Sequence, residues 1–452
     1  MFWILLFVLP SASAMGQAIP LLVLEEALRS QDVISLDGYG QYWVDSSGSA
    51  TLDDAMQTGD YLTWEKEKAL RTHWYLQNLK SPVWFRFSIS NPSDQPLEYY
   101  LGLGLHEHTE AWVYRQGQQL SHDQLGNLLP LYSRPVSVLW PSTHNNSLLL
   151  QLLPRDTLTI YAKIRNPYGP NMEEKNSQFR TSLTRSDYVE RNSTQHLLSA
   201  IFCQGALWFI LIFHMVNFLI NRSQVYLWYC LFLFAVILHL LDNDFILLYL
   251  FPDTYPLVSD YVFVLVVGLV FISYFQFSKV VMQSTQKVGW AVKTFKLLIR
   301  IQLGFFLCWL LFYSLNRFVF EEGALLWLVV SWHYIYQLLI VLEILTVIIL
   351  NVLLIRKADS NVTRYYVAAN SYMASVLALH FLLPFFLSPG REIGADYLGQ
   401  IEHYSLETSI LGQVLLFSIA LAYVIKEKEQ KMERAFAQRL SEVEMQALRS
   451  QM

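Results

Sequence analysis

Two periodicities divide the chain. From residue 33 to about 184, apolar and polar residues alternate in short stretches, among them VWFRFSIS (83–90), EYYLGLGL (98–105), EAWVYRQG (110–117), SLLLQLL (147–153) and TLTIYAKI (157–164). In the first, Val83, Phe85, Phe87 and Ile89 share one face while Arg86 and Ser88 face the other way, the period of two expected of a strand. Asn91-Pro92-Ser93-Asp94 and Arg115-Gln116-Gly117 read as turns between strands. The pattern predicts an all-β exported module, an antiparallel β-sandwich or jelly roll over 15–184. Residues 171–195 contain no apolar run and read as a last strand followed by a polar connector over 185–195.

Beyond residue 195 the alternation stops. Seven apolar stretches follow, at 196–220, 225–241, 257–281, 296–315, 324–355, 364–388 and 404–425. Each is close to or above the roughly 17 to 20 residues a helix needs to cross a bilayer. An all-α seven-helix membrane bundle over 196–425 is therefore expected. The second stretch is the weakest, because Asp242-Asn243-Asp244 interrupts it and leaves FILLYLF as an interfacial turn. The last segment, 426–452, spaces Met432, Phe436, Leu440, Val443 and Ala447 by three or four residues. This one-sided stripe predicts a coiled-coil-like cytoplasmic signalling helix that pairs two copies of the chain; a solvated amphipathic tail is the plainer alternative.

Composition agrees with a membrane protein: 54% of residues are hydrophobic and 15% charged, an apolar share above that of soluble domains. The net charge of −5 gives no reason to expect nucleic acid as a partner. Residues 1–14, MFWILLFVLPSASA, join an apolar run to Ala12-Ser13-Ala14 and read as a signal peptide, although the usual basic start is missing. Cys203, Cys230 and Cys308 all lie after residue 195, so the exported module needs a packed core in place of disulfides.

The positions of charge set an orientation. With the sandwich outside, inner loops hold Arg222; Lys279, Lys287, Lys293, Lys296 and Arg300; and Arg356, Lys357 and Arg364. The final helix adds Lys426, Lys428, Lys431, Arg434 and Arg439, whereas outer loops hold Arg317 and Arg391. Fourteen against two predicts a multi-pass membrane protein with the sandwich outside and the C-terminus in the cytoplasm.

Candidate chemistry is sparse. His106, His108 and Glu110 in HEHTE fall two apart, a spacing that puts three metal-binding groups on one strand face; solvated histidines at a strand end fit equally. Trp43, Trp64, Trp74, Trp84, Trp112 and Trp140 could stack on sugar rings or serve as core. In the apolar stretches Glu343, His214, His239, His333 and His380 are ionisable groups in a costly place, as in proton relays or buried helix-to-helix pairs. No phosphate loop, nucleophile triad or catalytic metal spacing occurs, so neither an enzyme activity nor a cofactor is expected of this chain.

The order of parts, with several short motifs, resembles the 7TMR-DISM family of bacterial receptors, which join seven membrane spans to diverse intracellular signalling modules. YWVDSSGSATLDDA (42–55) is similar to that family's opening strand and Asp-x-x-Gly turn, SPVWFRFSISN (81–91) to its Trp-x-Arg-Phe strand, and SRPV (133–136) to its Arg-Pro stretch. Gly205 and FHMVNFLINRSQVYLWYCLF (213–232), with Asn217, Tyr226 and Tyr229, resemble its first membrane hairpin. The resemblance implies a carbohydrate-binding-like jelly roll that takes a small ligand, a saccharide or an envelope component. The ligand-site candidates are Trp84, Arg86, His106, His108 and Arg134.

The closing EMQALRSQM (444–452) resembles the segment just before the phosphoacceptor histidine of LytS-type sensor histidine kinases. That likeness implies a kinase module beyond this sequence, with a response regulator as its partner. A diguanylate cyclase output of the same receptor family is the alternative, as is a transporter or envelope-interaction protein with no signalling output.

Overall fold

The computed structural model describes residues 19–36, 39–63, 81–103, 108–126, 129–130, 133, 147–165, 181–243, 246–251, 255–284, 289–318, 326–356, 360–387 and 395–451. The chain folds into two compact units, one centred on strands and one on long helices.

In chain order the first unit contains β1 (Leu21–Val23), α1 (Glu26–Arg29), β2 (Val33–Ser35), β3 (Gln41–Val44), α2 (Leu52–Gln57), β4 (Leu62–Thr63), β5 (Val83–Ser90), β6 (Leu97–Gly102), β7 (His108–Arg115), β8 (Gln118–Leu125), β9 (Ser147–Leu152), β10 (Thr157–Arg165) and β11 (Ser182–Arg185). A seven-stranded sheet runs β4-β3-β5-β10-β7-β8, with β1 added parallel to β5, and a four-stranded sheet runs β2-β11-β6-β9. The two form a β-sandwich around one core. Val83, Phe85, Phe87 and Ile89 of β5 and Leu158, Ile160 and Ala162 of β10 meet Tyr99, Leu101, Leu148, Leu150, Leu152 and Leu183 of the smaller sheet. Each large apolar side chain so buried contributes about 1.5–3 kcal/mol at most, which is how the module holds together without disulfides.

The five strands expected from alternation are all present, as β5, β6, β7, β9 and β10. Strand β8, QQLSHDQL, gives no such signal, because it is an edge strand whose side chains, Leu125 apart, are exposed or half-buried. Its hairpin with β7 turns through Gln116 at φ 49° and Gly117 at φ 81°, the pair of left-handed residues a tight two-residue hairpin requires. Strand β5 differs from a half-solvated strand in another way. Its residues from Val83 to Ile89 are buried on both faces, because α2 and Tyr61 pack over the side that carries Trp84 and Arg86.

The second unit is helical. The long helices are α3 (Ser186–Asn221), α4 (Gln224–Asn243), α6 (Tyr255–Ser284), α7 (Gly289–Phe318), α8 (Leu326–Ile355), α9 (Asn361–Leu387) and α10 (Ala395–Gln451); the five-residue helix α5 (Ile246–Leu250) at FILLYLF is grouped with the first unit. Among the described residues six helices are long and apolar enough to cross a membrane: α3, α4, α6, α7, α8 and α10. The expected sixth span, 364–388, falls on α9, part of whose side chains lie outside the described residues. Of the polar connector of 185–195, Arg185 ends β11 and the rest is helical, forming the first turns of α3. Phe417 of α10 sits at the centre of the bundle, 5.1 Å from Phe277 and 5.6 Å from Tyr366 between ring centroids. Phe202 and Ile220 on α3 are instead 73% and 74% exposed, as suits contact with lipid.

Candidate functional site

The outer face of the larger sheet concentrates the chemically distinctive side chains of the strand unit. The register sets Gln41, Arg86, Tyr161, Trp112 and His122 in one row across β3, β5, β10, β7 and β8. A neighbouring row holds Trp43, Trp84, Lys163 and Glu110. Alternation along β5, β7 and β10 puts these residues opposite the core, and Ala55 of α2 packs among them with Leu52 and Met56 alongside.

The rings form a stack. Trp84 and Trp112 lie 5.4 Å apart and 22° from parallel, and His122 lies 4.7 Å beyond Trp112 at 6°. Tyr114 meets Tyr161 edge-on at 5.9 Å. Two cations are set into this aromatic surface. The Arg86 guanidinium sits 3.7 Å over the Tyr61 ring and its Nε donates to Gln41 Oε1 at 2.8 Å. Lys163 Nζ lies 5.0 Å from the Trp84 ring centroid and donates to the Ala50 carbonyl at 2.7 Å. Both are almost fully buried, a setting in which cation–π contacts reach about 2 kcal/mol.

Burial lowers the Lys163 ammonium from its ordinary value; Arg165 pushes the same way, and Asp45 and Glu110 oppose it. Burial likewise lowers Arg86, against the two phenols of Tyr61 and Tyr161, and raises the Tyr61 phenol despite Arg86 beside it. The loop that carries Ala50 is organised by Asp45, whose carboxylate accepts from the backbone N–H groups of Ser47, Gly48 and Ala50 at 2.9–3.0 Å and from Ser47 Oγ at 2.6 Å.

Of the ligand-site residues expected from sequence, Trp84 and Arg86 come together here. His108 lies at the start of β7 with its Nδ1 4.0 Å from Glu110. Glu110 is in turn 3.8 Å from His122 and 3.7 Å from Arg165. His106 and Arg134, and with them Trp64, Trp74 and Trp140, lie outside the described residues. Among the described residues no group of three or more His, Cys, Asp or Glu side chains is placed to hold a metal ion.

In the helical unit, hydrogen bonds converge on α10. Gln413 donates to Asn370 Oδ1 on α9 at 3.1 Å, the same oxygen that takes the Tyr274 hydroxyl of α6 at 2.8 Å, and Asn370 Nδ2 reaches Asn351 of α8 at 3.4 Å. Five residues further along α10, Ser418 lies 3.0 Å from His214 Nε2 of α3 and 3.1 Å from the Tyr229 hydroxyl of α4. Ser199 of α3 donates to Glu407.

Two family models cover the chain: 7TM diverse intracellular signalling matches residues 196–424, and 7TMR-DISM extracellular 2 matches 37–172. The chain belongs to the 7TMR-DISM family. No curated protein matches it. The boundary between the two matched segments of this 7TMR-DISM receptor contains β11 and the start of α3, and the second match ends on α10 at the edge of its charged stretch.

Several residues of the 7TMR-DISM face escaped sequence reasoning. Tyr61, Tyr161 and Lys163 lie far from Trp84 in sequence, and only strand pairing and the loop of α2 bring them beside it. The available signal was a polar residue, Lys163, between Ala162 and Ile164 in an otherwise apolar run. Of the intramembrane groups, His214 is a hydrogen-bonded helix-to-helix contact. Glu343 is buried with both carboxyl oxygens lacking a hydrogen-bond partner. The side chains of His333 and His380 lie outside the described residues.

Proposed function

We propose that this 7TMR-DISM protein is a signal-transducing receptor of the bacterial cytoplasmic membrane. Its exported sandwich takes a small ligand, a saccharide or an envelope component, on the outer face of the larger sheet. Occupancy biases the membrane helices between two arrangements, and the 426–452 helices of a homodimer carry the change to a histidine kinase module and its response regulator. For this to work, ligand must bind one arrangement better than the other.

The observation that carries the reading is the continuity of α10. One helix runs from Ala395 to Gln451; it is hydrogen-bonded to α3, α4 and α9 within the bundle and then exposes Met432, Phe436, Leu440 and Val443 on one side. A shift of its inner half cannot be absorbed before the charged half, because no Gly or Pro follows Gly412. The kinase output rests on the likeness of 444–452, and the orientation on the Lys and Arg count.

The test is disulfide mapping in native membranes, after replacing Cys203, Cys230 and Cys308 by Ala. Cysteines at 432, 436, 440 and 443 should crosslink two copies, and cysteines at Arg434 and Ser441, on the opposite side, should not. Glucose, glucuronate and peptidoglycan disaccharide are then added outside. A crosslinking pattern indifferent to helix face would remove the dimer, and one unchanged by every probe would remove the coupling.

A further inference from the structure

The outer sheet face leaves specific polar groups unsatisfied, and all of them can donate. Trp84 Nε1 and the Tyr61 hydroxyl are fully buried and have no hydrogen-bond partner. Lys163 Nζ gives one N–H to the Ala50 carbonyl and carries two more. A buried donor without an acceptor costs roughly 1–3 kcal/mol, so these two, beside the spare N–H groups of Lys163, form either a standing defect or half of a binding site. They share one neighbourhood: Lys163 lies over the Trp84 ring, Trp43 pairs with Trp84 across the strands, and the Trp43 and Tyr61 rings are 6.3 Å apart.

Two acceptors on the same face are already used. The Asp45 carboxylate takes the N–H groups of its own loop and Gln41 Oε1 takes Arg86, while Glu110 stands 3.7–4.0 Å from Arg165, His122 and His108. A sugar hydroxyl set against these donors would bring an O–H of its own that also has to be satisfied. A carboxylate only accepts.

We infer that the outer face of the larger sheet binds a carboxylate, with Trp84 Nε1, Tyr61 Oη and Lys163 Nζ as its donors and the surrounding rings as walls. This rests on the reading of that face as the ligand site and narrows the ligand to an acidic sugar or a small organic acid. The half-buried ring of Trp43 beside the donors favours the acidic sugar, because a sugar ring can stack on it.

The experiment is titration of the full chain in lipid nanodiscs with glucuronate, glucose and glutarate, followed by calorimetry. Glucuronate should bind about tenfold or more tightly than glucose, the scale of one charge-assisted hydrogen bond. Glutarate as tight as glucuronate would assign the site to simple organic acids, still a carboxylate. Trp84→Phe and Tyr61→Phe keep the rings and remove one donor each, and each should weaken glucuronate about tenfold. Lys163→Met should weaken it further; should that variant fail to fold, the two ring-preserving variants decide.

Glucose as tight as glucuronate, with both lost in Trp84→Phe, would overturn the carboxylate while leaving the face as the site. Glucuronate binding untouched by all three substitutions would overturn the face itself. No binding by any probe, with Trp84→Phe and Tyr61→Phe melting higher than the parent, would show the donors to be structural defects and end the proposal.

Discussion

At the scale of the residue, Asp45 shapes its surroundings most. Its carboxylate is 1% exposed and anchors the loop from Ser47 to Ala50, and the Ala50 carbonyl then receives Lys163. Asp45→Ala leaves several donors unmet and should cost about 3 kcal/mol, measurable by chemical denaturation of the purified protein; a loss below about 1 kcal/mol would contradict this role. Burial raises the Asp45 carboxyl, but hydrogen bonds from Ser47, Ala50 and Gly48 together outweigh it and leave it below its usual range. A carboxyl depressed in the folded state adds stability above the unfolded value, about pH 4, and loses it as pH falls through the folded value. Melting curves should therefore drop below about pH 4, and Asp45→Asn should drop less steeply. None of this loop was legible beyond a turn, because a sequence shows that Asp45 can accept hydrogen bonds but not which N–H groups will turn toward it.

At the scale of the element, the last two long helices pack so closely that a side chain decides the contact. A Cβ on Gly412 of α10 would sit 2.0 Å from the Tyr372 ring of α9. Gly412→Ala should therefore destabilise the bundle by about 1–3 kcal/mol, seen as a lower melting temperature in detergent. Tyr372→Ala in the same chain should restore part of the loss, because the clash needs both partners; additive losses would rule the contact out. Asn370 joins α6, α8 and α10 through Tyr274, Asn351 and Gln413. Asn370→Leu should cost about 1–2 kcal/mol, since hydrogen bonds between membrane helices are worth about 0.6 kcal/mol each. No measurable change would mean the network does not hold the helices. Apolar runs announced the helices, and period two announced β5, β7 and β10. Strand β8 was silent because an edge strand can be polar on nearly every residue and still be held by its hairpin.

At the scale of the whole molecule, the distribution of Lys and Arg predicts a single orientation. Alkaline phosphatase fused after residue 190 or after Arg317 should be active outside, and fused after Arg222 or at the C-terminus inactive; activity at the C-terminus would reverse the topology. The sequence by itself determined the division into a strand module and a helical membrane domain, because alternation and long apolar runs are local records of which surface is buried and in what solvent. It also determined the family, whose motifs lie in short contiguous stretches. Tertiary structure alone decided what faces what. Trp84, Tyr61 and Lys163 are as much as 102 residues apart in number, and only the pairing of β5 with β10 and the folding of α2 over them make one donor-rich face. The physical reason is that hydrophobic pattern fixes how each segment buries itself, whereas hydrogen-bond and charge balance at a site is a sum over segments that touch only after the chain has folded.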